Sequence, residues 1–348
     1  MKSFGVLLFC LFFSLYFGSA VEAVFQPTPG QGSVYLTQMG GMSEGAILTP
    51  LDLELSLYSR IVDRLSFPET VICAPNGDLY FTETFAPESV GAAASILIHK
   101  PGRIVETPQA DFHRVARVKP NGSAPNYIVE WDDASLLPSS LALAPNGDLF
   151  IGSTSKDDRP TQGIWRIRGV TQSTATFNPP EQILPPNIFA PPKKGTSNSV
   201  RPMDFLPNGD LLIIDAPVEM APGGRVLRAA GPGYNATTTF IPPFDDMETR
   251  RSFKPSGLAV TPQGTVLITD FANDKILHYD AQGNFIGVFA DLSSPNQIAV
   301  GVDGLVYVTN LRFRGRNVTG GLFIYDAQGT LLVSDSSPIF RRGITVCN

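Results

Sequence analysis

Twelve polar residues stand at two fixed distances from a recurring glycine, and among them are the side chains best suited to chemistry. Gly77, Gly147, Gly209, Gly264 and Gly304 each sit in a copy of one short turn. Eight residues before these glycines come Glu69, Ser139, Arg201, Ser256 and Asn296, and a matching C-terminal stretch adds Arg342. Six residues after them come Glu83, Ser153, Asp215, Asp270 and Asn310, and a matching N-terminal stretch adds Gln38. A carboxylate and two guanidinium groups converging on one axis can hold a developing oxyanion and move a proton. Gathering such charges without a ligand is costly. The expected catalytic residues are therefore Glu69, Arg201, Arg342 and Asp270. Gln38, Glu83, Ser139, Asp215, Ser256, Asn296 and Asn310 are the expected substrate-binding residues. For the second set, the need to satisfy backbone and channel water is an equally good account.

Other chemistries have less behind them. His99, His113 and His278 are scattered, and His278 alternates along an apolar strand in "KILHYD" as a structural residue would. There is no G-x-S-x-G elbow, H-E-x-x-H helix or phosphate-binding glycine loop. Trp131 and Trp165 read as packing residues.

The elements that must position these groups are short strands. "APNGDLY" (74–80) returns as "APNGDLF" (144–150) and "LPNGDLL" (206–212), with looser copies at 261–267 and 301–307. Gly beside Asn or Asp supplies the positive φ of a tight hairpin. Apolar runs flank each turn, as in "TVICA" before and "LYFTE" after. A third run follows in each copy ("SILIHK", "GIWRIR", "GRVLRA", "KILHYD", "GLFIYD"), and a fourth is clearest in "DAQGNFIGVF". Four antiparallel strands per repeat make a propeller blade. Five blades are explicit. The sixth is split: "GSVYLTQ" (32–38) matches a second strand, 45–50 and 56–65 supply the third and fourth, and "GITVC" (343–347) is the missing first. The expected fold is all-β, a six-bladed β-propeller whose last blade joins both chain ends, with the polar sets ringing its channel. A two-sheet sandwich would leave the complementary ends unexplained.

Composition bounds the rest. Residues 1–23 read as a signal peptide: Lys2, an apolar run from Phe4 to Phe17, then small residues. That run is shorter than the roughly 20 residues of a membrane span. Residues 24–348 are then one propeller domain in a secreted chain. Net charge is −6, which argues against nucleic acid and anionic membranes as partners. Cys10 leaves with the signal, so Cys73 and Cys347 are the expected disulfide. It would join innermost strands of adjacent blades and add roughly 4–5 kcal/mol on the chain-entropy account. Asn121, Asn235 and Asn317 head glycosylation tripeptides. A ring with closed edges is expected to be a monomer. Long connections at 84–113 and 217–252 are candidate lids.

"PETVICAPNGDLYFTE" and "GLAVTPQGTVLITD" resemble the regucalcin/gluconolactonase-like group of six-bladed propellers, and the pattern is also similar to NHL-repeat and strictosidine-synthase propellers. The resemblance implies a divalent cation such as Ca²⁺ held by a Glu, Asn residues and an Asp that acts as base, in metal-dependent lactone hydrolysis. Glu69 falls at the Glu position, Ser139 and Arg201 where Asn is expected, and Ser256 where the Asp is expected. With one ligand of four retained, the expectation is a metal-independent site. In architecture the chain is similar to secreted fungal propellers that act as hetero-Diels–Alderases. That similarity implies small-molecule substrates and no cofactor: Arg201 and Arg342 on the oxygens of a tropolone-type diene, Glu69 or Asp270 assisting loss of water, and apolar loops aligning a terpene alkene. A propeller that binds a partner without catalysis is the third possibility.

Overall fold

The computed structural model describes residues 33–38, 45–50, 58–65, 68–85, 98–100, 103–105, 112–118, 126–131, 137–154, 163–171, 179–189, 198–217, 224–246, 249, 251–314, 317–335 and 341–347. The recurring turn behaves as its residues require. Gly77, Gly147, Gly209, Gly264 and Gly304 have φ of 82°, 83°, 86°, 81° and 80°, a region other L-residues rarely enter. In the three PNGD copies the Asn side chain accepts from the N–H of the following Asp and donates to its carboxylate. Two of those carboxylates also receive a main-chain N–H from beyond the third strand: Asp148 from Gly169 and Asp210 from Gly231. In these two copies the recurring Asp thus fastens one end of its blade.

Six four-stranded antiparallel sheets result. Their innermost strands are Pro68–Cys73, Leu137–Leu143, Asn198–Phe205, Pro255–Val260, Pro295–Val300 and Arg341–Cys347, in blades I to VI. Blade VI pairs Arg341–Cys347 with Ser33–Gln38, then Gly45–Pro50 and Tyr58–Leu65. Every innermost strand contacts those of both neighbouring blades, so the ring closes. Cys73 and Cys347 are disulfide-bonded across the I/VI junction, with Cα atoms 5.2 Å apart.

The core lies between blades. Phe150 and Ile164 of blade II meet Met203 and Ile213 of blade III, and Leu212 and Phe240 of blade III meet Phe253 and Leu277 of blade IV. Corresponding clusters join I to II, IV to V and V to VI. A twisted sheet with apolar residues on both faces must be covered on both, and a closed ring does this without a second layer.

One strand differs from expectation. The third strand of blade I is Phe112–Val118, which pairs with Leu79–Phe85 and Asn126–Trp131. The "SILIHK" run instead enters a two-stranded hairpin, Ile98–Lys100 with Arg103–Val105. An insertion therefore separates the second and third strands here. Val115, Ala116 and Val118 fill the blade interfaces, and the nearer apolar run misled the periodicity argument because strand signals carry no information on pairing partner.

Candidate functional site at the channel mouth

The six sheets share a defect at one level. In blade I, Pro68 pairs with Glu83 but Val71 pairs with Phe81, so the innermost strand holds one extra residue. The same one-residue shift falls between Pro138 and Ser140, Val200 and Met203, Pro255 and Gly257, and Pro295 and Ile298. In blade VI it falls between Arg341 and Ile344. Glu69, Ser139, Arg201, Ser256, Asn296 and Arg342 all lie in these bulged segments. A β-bulge breaks the ladder and re-aims the strand, and six in register bring the first polar set to one end of the channel. A proline stands immediately before the set in four blades (Pro68, Pro138, Pro255, Pro295). Proline at the start of an edge strand or bulge removes an N–H the ladder would leave unpaired. For Arg201, Arg342 and Gln38 the main-chain position is described and the side chain is not.

Threonine closes the defect, which the sequence reading missed. Thr37, Thr82, Thr269 and Thr309 are fully buried, each just before a second-set residue. Three of these hydroxyls accept the N–H displaced by the bulge: Thr37 from Gly343 (2.6 Å), Thr82 from Thr70 (3.2 Å) and Thr309 from Gln297 (3.1 Å). Thr37 also donates to the Glu69 carbonyl in the next blade (3.4 Å), and Thr269 to that of Asn296 (2.6 Å). Blade III has Pro202 where that N–H would be, and Ile214 where the Thr would be. The available signal was the Thr in "LTQ", "FTE", "ITD" and "VTN". Glycine marks the closest approach of blades: a Cβ on Gly343 would lie 2.8 Å from the Glu69 carbonyl oxygen.

The described second-set side chains are tied into their own blades. Glu83 accepts from Arg114 and Asp215 from Arg225, each at 2.8 Å and each fastening the second strand to the third. Ser153 donates to the Gly163 carbonyl, and Asn310 accepts from Gly321 N–H while donating to the Ser293 carbonyl. Asp270 accepts from the N–H groups of Lys254 and Ala272 and from Asn273 Nδ2. It is 1% exposed, and burial raises its pKa against those hydrogen bonds. The Asp270 carboxylate thus holds the 271–274 turn. The Glu83, Asp215 and Asn310 side chains each tie the second strand of their blade to neighbouring segments.

Within the first set, Ser256 is committed too: its Oγ lies 2.9 Å from Thr269 Oγ1 and donates to the Pro295 and Asn296 carbonyls. Ser139 is half-buried and donates to the Gly152 carbonyl. Glu69 is half-buried at the mouth. Below the mouth all six innermost strands line a cavity of about 270 Å³. Among its lining residues Asp204 alone is ionisable. Its oxygens accept from Val260 N–H of the next blade and from Phe205 N–H, both at 2.8 Å. Desolvation pushes its pKa up to about 6, with those two hydrogen bonds opposing. Asp204 sits three residues inward of Arg201, roughly 10 Å along the strand. Its signal was a charged residue inside the apolar "MDFL".

A hard divalent cation takes six or more oxygen ligands. Among the described side chains of the first set Glu69 is the one carboxylate, and the Ser256 hydroxyl is already engaged by Thr269 and two carbonyls. Among the described residues no group of three or more His, Cys, Asp or Glu could hold a metal. His278 contacts Thr265 (2.9 Å), Trp165 packs at the I/II junction and Asn235 is exposed. Asn121 lies outside the described residues, and Asn317 begins the third strand of blade V. Of the candidate lids, residues 86–97, 101–102, 106–111, 218–223, 247–248 and 250 also lie outside the description.

Neither a family model nor a curated protein matches the sequence. Solved structures do. A chain from a nidogen/laminin complex aligns at TM-score 0.60 and 12% identity, covering 91% of this chain and 98% of that one. A putative gluconolactonase aligns at TM-score 0.52 and 17% identity, over 82% and 83%. A gluconolactonase from Xanthomonas campestris aligns at TM-score 0.53 and 15% identity, over 91% of each chain. What the chain shares with these structures is the six-bladed propeller architecture. At these identities the likeness is one of fold.

Proposed function

We propose that the chain is a secreted small-molecule enzyme whose site is the bulged mouth of the channel and which works without a metal ion. The observation that supports this is the bulge repeated in all six blades at the positions of Glu69, Ser139, Arg201, Ser256, Asn296 and Arg342. A rigid ring of strands carrying few polar groups suits a reaction that needs orientation and polarisation more than a protein nucleophile. The specific reaction is a hetero-Diels–Alder cycloaddition joining a tropolone-type diene to a terpene alkene. In the preceding dehydration, Glu69 gives a proton to the departing hydroxyl as the C–O bond breaks and water leaves, and the ring hydroxyl of the precursor then returns a proton through solvent to the Glu69 carboxylate, which restores the acid. Arg201 and Arg342 hold the ring oxygens by charge-assisted hydrogen bonds. Fixing two reactants face to face can lower the barrier by up to roughly 7–11 kcal/mol.

A second reading, lactone hydrolysis with a bound divalent cation, is favoured by the gluconolactonase neighbours and by Glu69, and disfavoured by the donor set. The deciding experiment incubates the purified chain with a hydroxymethyl tropolone and a humulene-type alkene, and separately with a lactone panel, each with and without EDTA. Enzyme-dependent adduct unaffected by EDTA supports the first reading. Lactone hydrolysis abolished by EDTA and restored by Ca²⁺, without adduct, replaces it with the second.

A further inference from the structure

Between blades IV and V, at the turn end of the ring and so opposite the mouth, lies a second cavity of about 330 Å³. It borders Leu267. The third residue after each repeat glycine points into the junction with the next blade. It is Tyr80 at I/II, Phe150 at II/III and Tyr307 at V/VI. Tyr80 fills its junction completely, with its hydroxyl directed at the Val170 carbonyl, and Phe150 packs edge-on against Phe205 and Tyr234. At III/IV the residue is Leu212, and Phe240, Phe253 and Tyr279 occupy the space. At IV/V it is Leu267, with Phe289 and Tyr325 packed in the same junction, and the cavity opens beside Leu267 and Phe289. Gly304 and Ala327 keep the entrance wide: a Cβ on Gly304 would meet nothing closer than the Ala327 Cβ at 3.5 Å.

The lining has a defined chemistry. No Asp, Glu, Lys or Arg contributes to it. Leu267, Phe289, Val300 and Val306 form apolar walls, and Thr261, Gln263, Gln328 and His278 supply polar groups. His278 Nε2 lies 2.9 Å from Thr265 Oγ1, which lies 2.8 Å from Thr261 Oγ1. Burial lowers the His278 pKa and so favours the neutral imidazole, whose Nε2 is engaged by Thr265 and whose other ring nitrogen is the one left for a ligand. Amides, hydroxyls and a neutral imidazole all both donate and accept, which matches a ligand whose own groups do the same. An ionic ligand would find no counter-charge here.

We propose that this cavity is a binding site for a neutral polyhydroxylated ring of monosaccharide size, seated with its C–H face on the Phe289 wall and its hydroxyls toward Gln263, Gln328, Thr261 and His278. The volume falls in the usual range of small-ligand sites. It is separate from the channel mouth, at the other end of the innermost strands, and does not depend on the reaction proposed there.

The test uses the full chain with glucose and N-acetylglucosamine as neutral probes, and glucuronate and glucosamine as charged counterparts of the same shape. Saturation-transfer NMR and calorimetric titration read binding to the wild type, Leu267→Phe, His278→Gln and Glu69→Gln. Leu267→Phe installs the side chain that blade II carries at this place. The expected result is neutral-sugar binding with Kd of millimolar order, weakened at least about tenfold by either pocket substitution and unchanged by Glu69→Gln. The charged sugars are expected to bind at least about tenfold more weakly. Should Leu267→Phe fail to fold, His278→Gln carries the same test. No neutral-sugar binding, equal binding of the charged sugars, or loss on Glu69→Gln with retention in the pocket variants would each overturn the proposal. A raised melting temperature in Leu267→Phe with no ligand displaced would mark the cavity as a packing defect.

Discussion

Two carboxylates near the axis have different surroundings, and each leads to its own expectation. Glu69 sits half-buried at the mouth and is the acid of the proposed reaction. Glu69→Gln should lower turnover by at least about 10²-fold, the usual worth of a positioned acid, with the melting temperature unchanged. Loss of activity accompanied by unfolding would mean a structural role instead. Asp204 is half-buried, but the atoms it exposes face the narrow channel rather than bulk water. Its pKa in the folded chain, about 6, lies above that of a free Asp, 3.8. The folded chain therefore holds this proton more tightly than the unfolded one, and stability falls as pH rises through that window. The loss approaches about 3 kcal/mol above pH 6. Asp204→Asn should lack that slope, gaining on the wild type between pH 4 and 7 in denaturant titrations. Parallel curves for the two proteins would contradict the assignment.

At the scale of the strand, the bulge and its threonine act as one device. Thr309→Val leaves the Gln297 N–H without its buried acceptor and should cost about 1–3 kcal/mol of unfolding free energy. Thr309→Ser, which keeps the hydroxyl, should recover most of it. Blade III shows why Ile is tolerated there: Pro202 has no N–H to satisfy. An Ile214→Thr chain should thus gain nothing, and a gain would show that the threonine serves some other contact. These elements were only partly legible in the sequence. The spacing of Glu69, Arg201 and Arg342 from the repeat glycine could be counted, because a repeat imposes a common register. The hydrogen bonds joining Thr37 to Gly343 and to Glu69 run between residues far apart in the chain, and no local pattern announces them.

At the scale of the whole ring, closure rests on blade VI and on the Cys73–Cys347 bond. Replacing both cysteines by serine should lower unfolding free energy by up to roughly 4–5 kcal/mol, read as a lower denaturant midpoint. An unchanged midpoint would mean that strand pairing alone holds the ends. The sequence by itself determined the ring: glycine turns at a regular spacing, apolar strands between them and complementary chain ends leave few other ways to cover every sheet face. It also determined which polar residues share a level, since equivalent positions in equal blades stand at equal heights. Only the tertiary structure decided what those residues can do. The Asp270 and Ser256 oxygens, for example, are held by groups that no local pattern announces. Leu267 looks like any other apolar strand residue, and only the packed blades show that it lines a cavity. Hydrogen-bond commitment and unfilled volume depend on what arrives from other blades, and the order of residues in one strand does not contain that information.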